Sequence, residues 1–239
     1  MKKIRQIINY NPADRHIYFL LISAPVLLTI YRYFGEAKDF NQYFPSLLQS
    51  ASGEVYATIL QFSGFFLLMF LFPVFYAKYI WKKPLKDFGM EAGDFRWGLL
   101  FALISIPVIV LPFSYAGSFQ PTVQAEYPLS KTLLAHHELL PIYVISYSLF
   151  YYIAWEFFFR GFLLFGLAEK FGGVNAILIQ TISSCLVHID KPAVEIIGSI
   201  PVGILFGIVA LRTKSFWYVF LVHAAIGIST DLFIIFNHR

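Results

Sequence analysis

Two residues four apart, Glu156 and Arg160, stand inside an apolar run from Leu140 to Leu167, in the stretch Trp155-Glu156-Phe157-Phe158-Phe159-Arg160-Gly161. On a helix they share one face. A carboxylate and a guanidinium at membrane depth are costly, which marks them as a functional pair or a structural ion pair. Two further polar residues, His188 and His223, also lie in apolar surroundings. One glutamate with two histidines suits two chemistries. The carboxylate can act as general base on water while a histidine shares the proton or stabilises an oxyanion. Alternatively Glu156, His188 and His223 bind zinc, which lowers the pKa of a bound water. Either arrangement hydrolyses a peptide bond, so the cofactor is zinc or none, and these residue types do not choose between them. The plainer reading of each residue is structural: an intrahelical ion pair for Glu156 and Arg160, and an interhelical hydrogen bond for either histidine. Phe157 to Phe159 read as packing or lipid-facing aromatics.

The elements that must position these groups are membrane spans. The chain has 239 residues, of which 58% are hydrophobic and 13% charged. Soluble domains carry about 25% charge, and a core of this size cannot absorb so much apolar sequence. The fold class expected is all-α, a polytopic helical bundle of seven to eight spans forming one domain over 1–239, with the polar core at 140–236. Apolar runs predict spans over 17–34, 55–80, 97–115, 140–167, 174–188, 194–211 and 216–236. Pro25, Pro107 and Pro112 kink or break their helices, which a bundle tolerates. Glu169 to Gly173 is a short turn whose glycines supply the reversal. Residues 40–50 can lie along the interface or re-enter as an eighth element. At 1.5 Å per residue, Glu156 and His223 fall near mid-membrane within roughly one or two turns of each other, and His188 lies nearer the outer side.

Charge sets the expected orientation. Lys2, Lys3, Arg5 and Arg15 precede the first span, and Trp81 to Asp87 and Arg212 to Ser215 are basic connections, so all three belong in the cytoplasm. Seven spans then leave the C-terminus outside. The first apolar run is long and lacks a small-residue cleavage pattern, so it reads as an anchor and not a cleaved signal. The net charge of +4 sits in these short connections, which argues against nucleic-acid binding. Cys185 is the single cysteine, which excludes an internal disulfide and a multi-cysteine metal site. The neighbouring His136 and His137 point to different sides of any helix and read as solvated. No internal repeat relates the two halves, which counts against a small transporter with a central substrate or proton site.

The run Glu156-Phe-Phe-Phe-Arg160-Gly161, followed by a histidine after the next span and another in the last, resembles the CPBP family of intramembrane proteases. These include the CAAX prenyl endopeptidases and the bacteriocin-processing or abortive-infection proteins. The family pattern is Glu-Glu-x-x-x-Arg, then Phe-x-x-x-His, then His-x-x-x-Asn/Asp on three successive core helices, and the order and spacing are respected over roughly 140–235. Aligned on Arg160, Glu156 takes the second glutamate position and Trp155 the first; Ser184 stands at the aromatic position and Gly227 at the Asn/Asp position. The resemblance implies a multi-pass endopeptidase of a cell membrane, bacterial inner membrane by class, acting on a membrane-associated peptide, prenylated or CAAX-like. It carries over Glu156, Arg160, His188 and His223. In that reading Glu156 and His188 activate water, His223 stabilises the oxyanion, and Arg160 positions Glu156. Two further carboxylates are candidate substitutes for the missing glutamate. Glu195 follows His188 by seven residues, and Asp231 follows His223 by eight, each on a similar helical face that would put it at the pocket mouth. Trp155 and Gly227 favour the alternative of an inactive relative, a peptide-binding, immunity or scaffold protein in the bilayer.

Overall fold

The structure is a computed structural model and describes residues 7, 9–46, 50 and 52–237. Lys2, Lys3 and Arg5, and residues 47–49 of the segment expected at the interface, lie outside the described residues. The described chain is helical throughout and contains no strand. Six helices are long and apolar enough to cross a membrane: α1 (Pro12–Phe34), α3 (Gly53–Trp81), α4 (Phe95–Gly117), α6 (His137–Leu186), α7 (Ala193–Thr213) and α8 (Trp217–Asn237). Two short helices complete the set, α2 (Ala37–Tyr43) and α5 (Pro121–Glu126).

The 50 residues of α6 form two helical arms, not one continuous helix. Gly172 sits at φ 76°, ψ 162°, outside helical space. Glycine reaches this conformation without a Cβ penalty, so it is the natural residue for a reversal. The arms on either side run back along each other: the ring of Trp155, seventeen residues before Gly172, lies 5.2 Å from the ring of His188, sixteen residues after it. The fourth and fifth expected runs are therefore the two arms of this hairpin, which counts once among the six helices long and apolar enough to cross a membrane.

Helix ends follow local chemistry. Asn11 accepts from the Ala13 amide to cap α1, with Pro12 at the first position. Asp94 accepts from the Trp97 amide to cap α4. Lys82 and Lys214 close α3 and α7 in the left-handed conformation. The first arm of α6 is the centre of the bundle. Phe157, Phe158, Phe159 and Phe162 are fully buried and pack with Leu20 and Ala24 of α1, Phe65 and Met69 of α3, Phe206 of α7 and Val219 of α8. These phenylalanines are core and not lipid-facing, and burying each side chain contributes about 1.5–3 kcal/mol.

Candidate active site

Glu156 is fully buried. Its Oε1 accepts from His223 Nδ1 at 2.6 Å and from Arg160 Nη1 at 3.2 Å. The helical spacing of four residues delivers the guanidinium, and α8 delivers the histidine from the opposite wall. Glu156 Oε2 and Arg160 Nε have no protein partner. Because Glu156 takes Nδ1, the other ring nitrogen of His223 is the one left to the cavity that His223 lines.

That cavity measures about 840 Å³. Trp155 and His223 lie in its wall at mid-bundle, and Arg32, Glu36, Glu126, Asp190 and Lys191 lie at its polar end. Glu156 and Arg160 are absent from this wall, so the expectation that Glu156 meets the attacking water does not match its position. It stands behind His223, and Trp155 occupies the front. The Trp155 ring is edge-on to His188 and His223 at 5.2 and 5.7 Å. A smaller void of about 40 Å³ behind Trp155 is lined by Arg160, Ser184, His188, Phe206 and His223, so all three motifs meet here.

His188 lies in the link between α6 and α7. Its Nδ1 contacts the Ser184 carbonyl at 2.8 Å. A carbonyl only accepts, so Nδ1 carries the proton and Nε2 is an acceptor. Burial pushes this imidazole down to about 4, the Ser184 bond opposing and the nearby His223 and Arg160 assisting. It is neutral at pH 7. Its Nε2 lies 3.8 Å from Glu195 Oε1.

Glu195 reaches this place by a different route from the one its spacing suggests. The helix does not run through from His188: Asp190 is left-handed at φ 74° and Pro192 caps α7. Glu195 is the third residue of the new helix, whose first turn faces back over His188. Both its oxygens accept from the Tyr127 hydroxyl at 2.8 Å. Burial and the Glu195 charge push the Tyr127 phenol well above its usual value, which keeps it a donor. Tyr127 is brought down by the segment between α4 and α6. Glu126 pairs with Lys191, Lys131 Nζ donates to the carbonyls of Gln124 and Tyr127, and Glu54 accepts from the Lys131 and Thr132 amides.

Asp231 does not reach the pocket mouth. It is 2% exposed, accepts from Tyr143 at 2.8 Å and is not part of the cavity wall. Eight residues at 3.6 per turn leave it about 80° around α8 from His223, enough to face another neighbour. At Gly227 a Cβ would stand 1.6 Å from the Tyr152 hydroxyl, so the missing side chain makes room for that tyrosine, whose ring lies 4.9 Å from His223. Of the two neighbouring histidines, His137 is exposed, while His136 is half-buried and pairs with Glu138.

Among the described residues no three His, Cys, Asp or Glu side chains gather in a group able to hold a metal. Glu156 is spent on His223 and Arg160, and His188 turns to Ser184 and Glu195. The zinc alternative does not fit these donors. What the arrangement offers is two acceptors, His188 Nε2 and Glu195 Oε1, beside a cavity. Their 3.8 Å separation is too long for a direct hydrogen bond and leaves room for one water to bridge them.

Tyr127 and the wedge of Trp155 are the site residues that spacing did not single out. Tyr127 belongs to a polar connection sixty-eight residues from Glu195, and no periodicity links the two.

Residues 137–229 match the family model of type II CAAX prenyl endopeptidases, described as Rce1-like. No curated protein and no solved structure matches the chain. The matched residues include Glu156, Arg160, His188, Glu195 and His223, while Tyr127 and Arg32 precede them. Over 137–229, the segment that builds the cavity floor and both histidines, the chain is similar to the Rce1-like CAAX protease family.

Proposed function

We propose that the protein is an intramembrane endopeptidase that hydrolyses a peptide bond of a membrane-associated substrate, using a water held between His188 and Glu195. The observation that carries this reading is the 3.8 Å spacing of His188 Nε2 and Glu195 Oε1. Both line one cavity wall, and Tyr127 fixes one of them. Glu195 takes a proton as the water oxygen bonds to the scissile carbonyl carbon, and His188 holds the other hydrogen. His223, held by Glu156 through Nδ1, faces the developing oxyanion with its other ring nitrogen. When the carbon–nitrogen bond breaks, the leaving amine takes the proton from Glu195. Arg160 holds Glu156 and so acts through His223.

The test is reconstitution in liposomes with a panel of quenched-fluorescent membrane peptides, including a prenylated CAAX-type peptide. Cleavage that disappears in Glu195→Gln and His188→Ala is the expected result. Full activity of Glu195→Gln would refute the assignment of the base. The second reading, an inactive peptide-binding relative, rests on Trp155, which fills the space between the two histidines. Intact peptide bound without cleavage by the wild-type protein would favour it.

A further inference from the structure

The two ends of the bundle differ in charge, and the cavity belongs to one of them. Ion pairs identify the members of each end. Arg212 with Asp94 joins the end of α7 to the start of α4. Lys83 with Glu169 joins the end of α3 to the α6 hairpin, and Lys170 with Asp14 joins that hairpin to the start of α1. Phe216, at the start of α8, donates its amide to the Gly89 carbonyl at this same end. Here stand Arg15, Lys78, Lys82, Lys83, Lys86, Arg96, Lys170, Arg212 and Lys214.

At the other end Arg32 with Asp190 joins the end of α1 to the α6–α7 link, and Lys191 with Glu126 joins that link to the segment before α6. The start of α3 is there too, through Glu54 and Thr132. Among the described residues this end carries only Arg32, Lys38, Lys131 and Lys191 as lysines and arginines. Each is held by a carboxylate or by carbonyls. The cavity runs from this end to mid-bundle: Arg32, Glu36, Glu126, Asp190 and Lys191 are in its wall, and no lysine or arginine of the basic end is.

Short connections rich in lysine and arginine stay in the cytoplasm, and carboxylates contribute little to that bias. We propose that the cavity opens on the extracytoplasmic face of the membrane and that the peptide it takes is presented there, as a segment of an exported or surface-exposed membrane-bound chain and not a cytoplasmic C-terminus. The substrate half of this rests on the hydrolytic reading above; the orientation does not.

The experiment labels the full-length protein in intact cells with a membrane-impermeant maleimide, in a Cys185→Ser background so that only an introduced thiol reacts. Glu138→Cys reports the cavity end and Lys86→Cys the basic end, both from exposed positions. The expected pattern is labelling of Glu138→Cys without permeabilisation and of Lys86→Cys only after it. The reverse pattern overturns the proposal. Should the cysteine variants fail to insert, alkaline phosphatase and green fluorescent protein fused after the C-terminus give the same answer. Asn237 ends α8 away from the basic end, so active phosphatase and dark fluorescent protein are expected, and the opposite pair overturns it. A reporter peptide tethered to either face then reads the substrate. Cleavage of the outer reporter alone supports the proposal, and cleavage of the inner one alone refutes it. Cleavage of neither counts against the hydrolytic reading while the labelling still decides the orientation.

Discussion

Replacing Arg160 by methionine tests whether the buried polar network is one unit. Arg160 is 3% exposed and Glu156 0%, and Glu156 Oε2 already lacks a partner. Methionine keeps much of the apolar volume, so the cavity left behind contributes little. What remains is a carboxylate in the core with its cation gone and only His223 beside it. Breaking a buried pair from one side costs about 3–5 kcal/mol. At roughly 2–4 °C per kcal/mol for a chain of this size, the unfolding midpoint falls by about 6–20 °C. The double variant Glu156→Gln/Arg160→Met removes both charges and leaves an amide oxygen to accept from His223 Nδ1. It is therefore expected to be more stable than Arg160→Met alone, with a coupling energy of about 2–3 kcal/mol. Thermal unfolding in detergent, followed by tryptophan fluorescence, reads all four corners of the cycle. A single variant within about 1 kcal/mol of wild type, or a double variant equal to the sum of the two singles, would refute the interdependence argued here.

Three further outcomes are expected. Tyr127→Phe removes the donor to both Glu195 oxygens; a hydrogen bond to a charged group is worth about 1.5–3 kcal/mol, so kcat falls at least tenfold with KM little changed, as steady-state cleavage of the reporter peptide will show. His188 gives a pH dependence with a definite sign. Its folded-state value near 4 lies below the ordinary 6.5, so the stability it leaves intact above pH 6.5 is lost as pH falls towards 4, by about 3 kcal/mol in all. Activity is expected to persist at pH 6, where an unperturbed histidine is largely protonated; a titration midpoint near 6.5 in the rate profile would show that His188 is not buried as described. Gly227→Ala and Gly198→Ala form a contrasted pair. The first puts a Cβ 1.6 Å from the Tyr152 hydroxyl and costs about 1–3 kcal/mol, while the second meets nothing within 4 Å and raises helix stability by up to about 1 kcal/mol. Equal effects in thermal unfolding would contradict the packing at Gly227.

The bundle was largely legible because the bilayer makes demands that hydropathy records directly, and each expected span lies within a few residues of a helix. The Glu156–Arg160 pair followed from four-residue spacing, and the meeting of Glu156 with His223 from counting depth along two helices. Other features escaped for physical reasons. The seven-residue spacing from His188 does not place Glu195, because the chain breaks at Asp190 and begins a new helix that folds back. Asp231 was placed by counting turns, and the remainder of the angle turned it to Tyr143. Tyr127 comes from a loop whose path is set by side-chain contacts to α3 and to the α6–α7 link, which no local pattern encodes. The family resemblance located the histidines but not the tyrosine, since the matched segment starts after it.

Trp155 has a use that does not depend on catalysis. The chain has four tryptophans. Trp81 ends α3, Trp97 lies in the first turn of α4 and Trp217 opens α8, so three sit at the basic end of the bundle. Trp155 alone is at the cavity floor, edge-on to both imidazoles. With phenylalanine at the other three positions, the emission of one indole reports what fills the cavity and when His188 gains a proton. The residue that displaced an expected carboxylate thus leaves the protein with an optical probe of its own pocket.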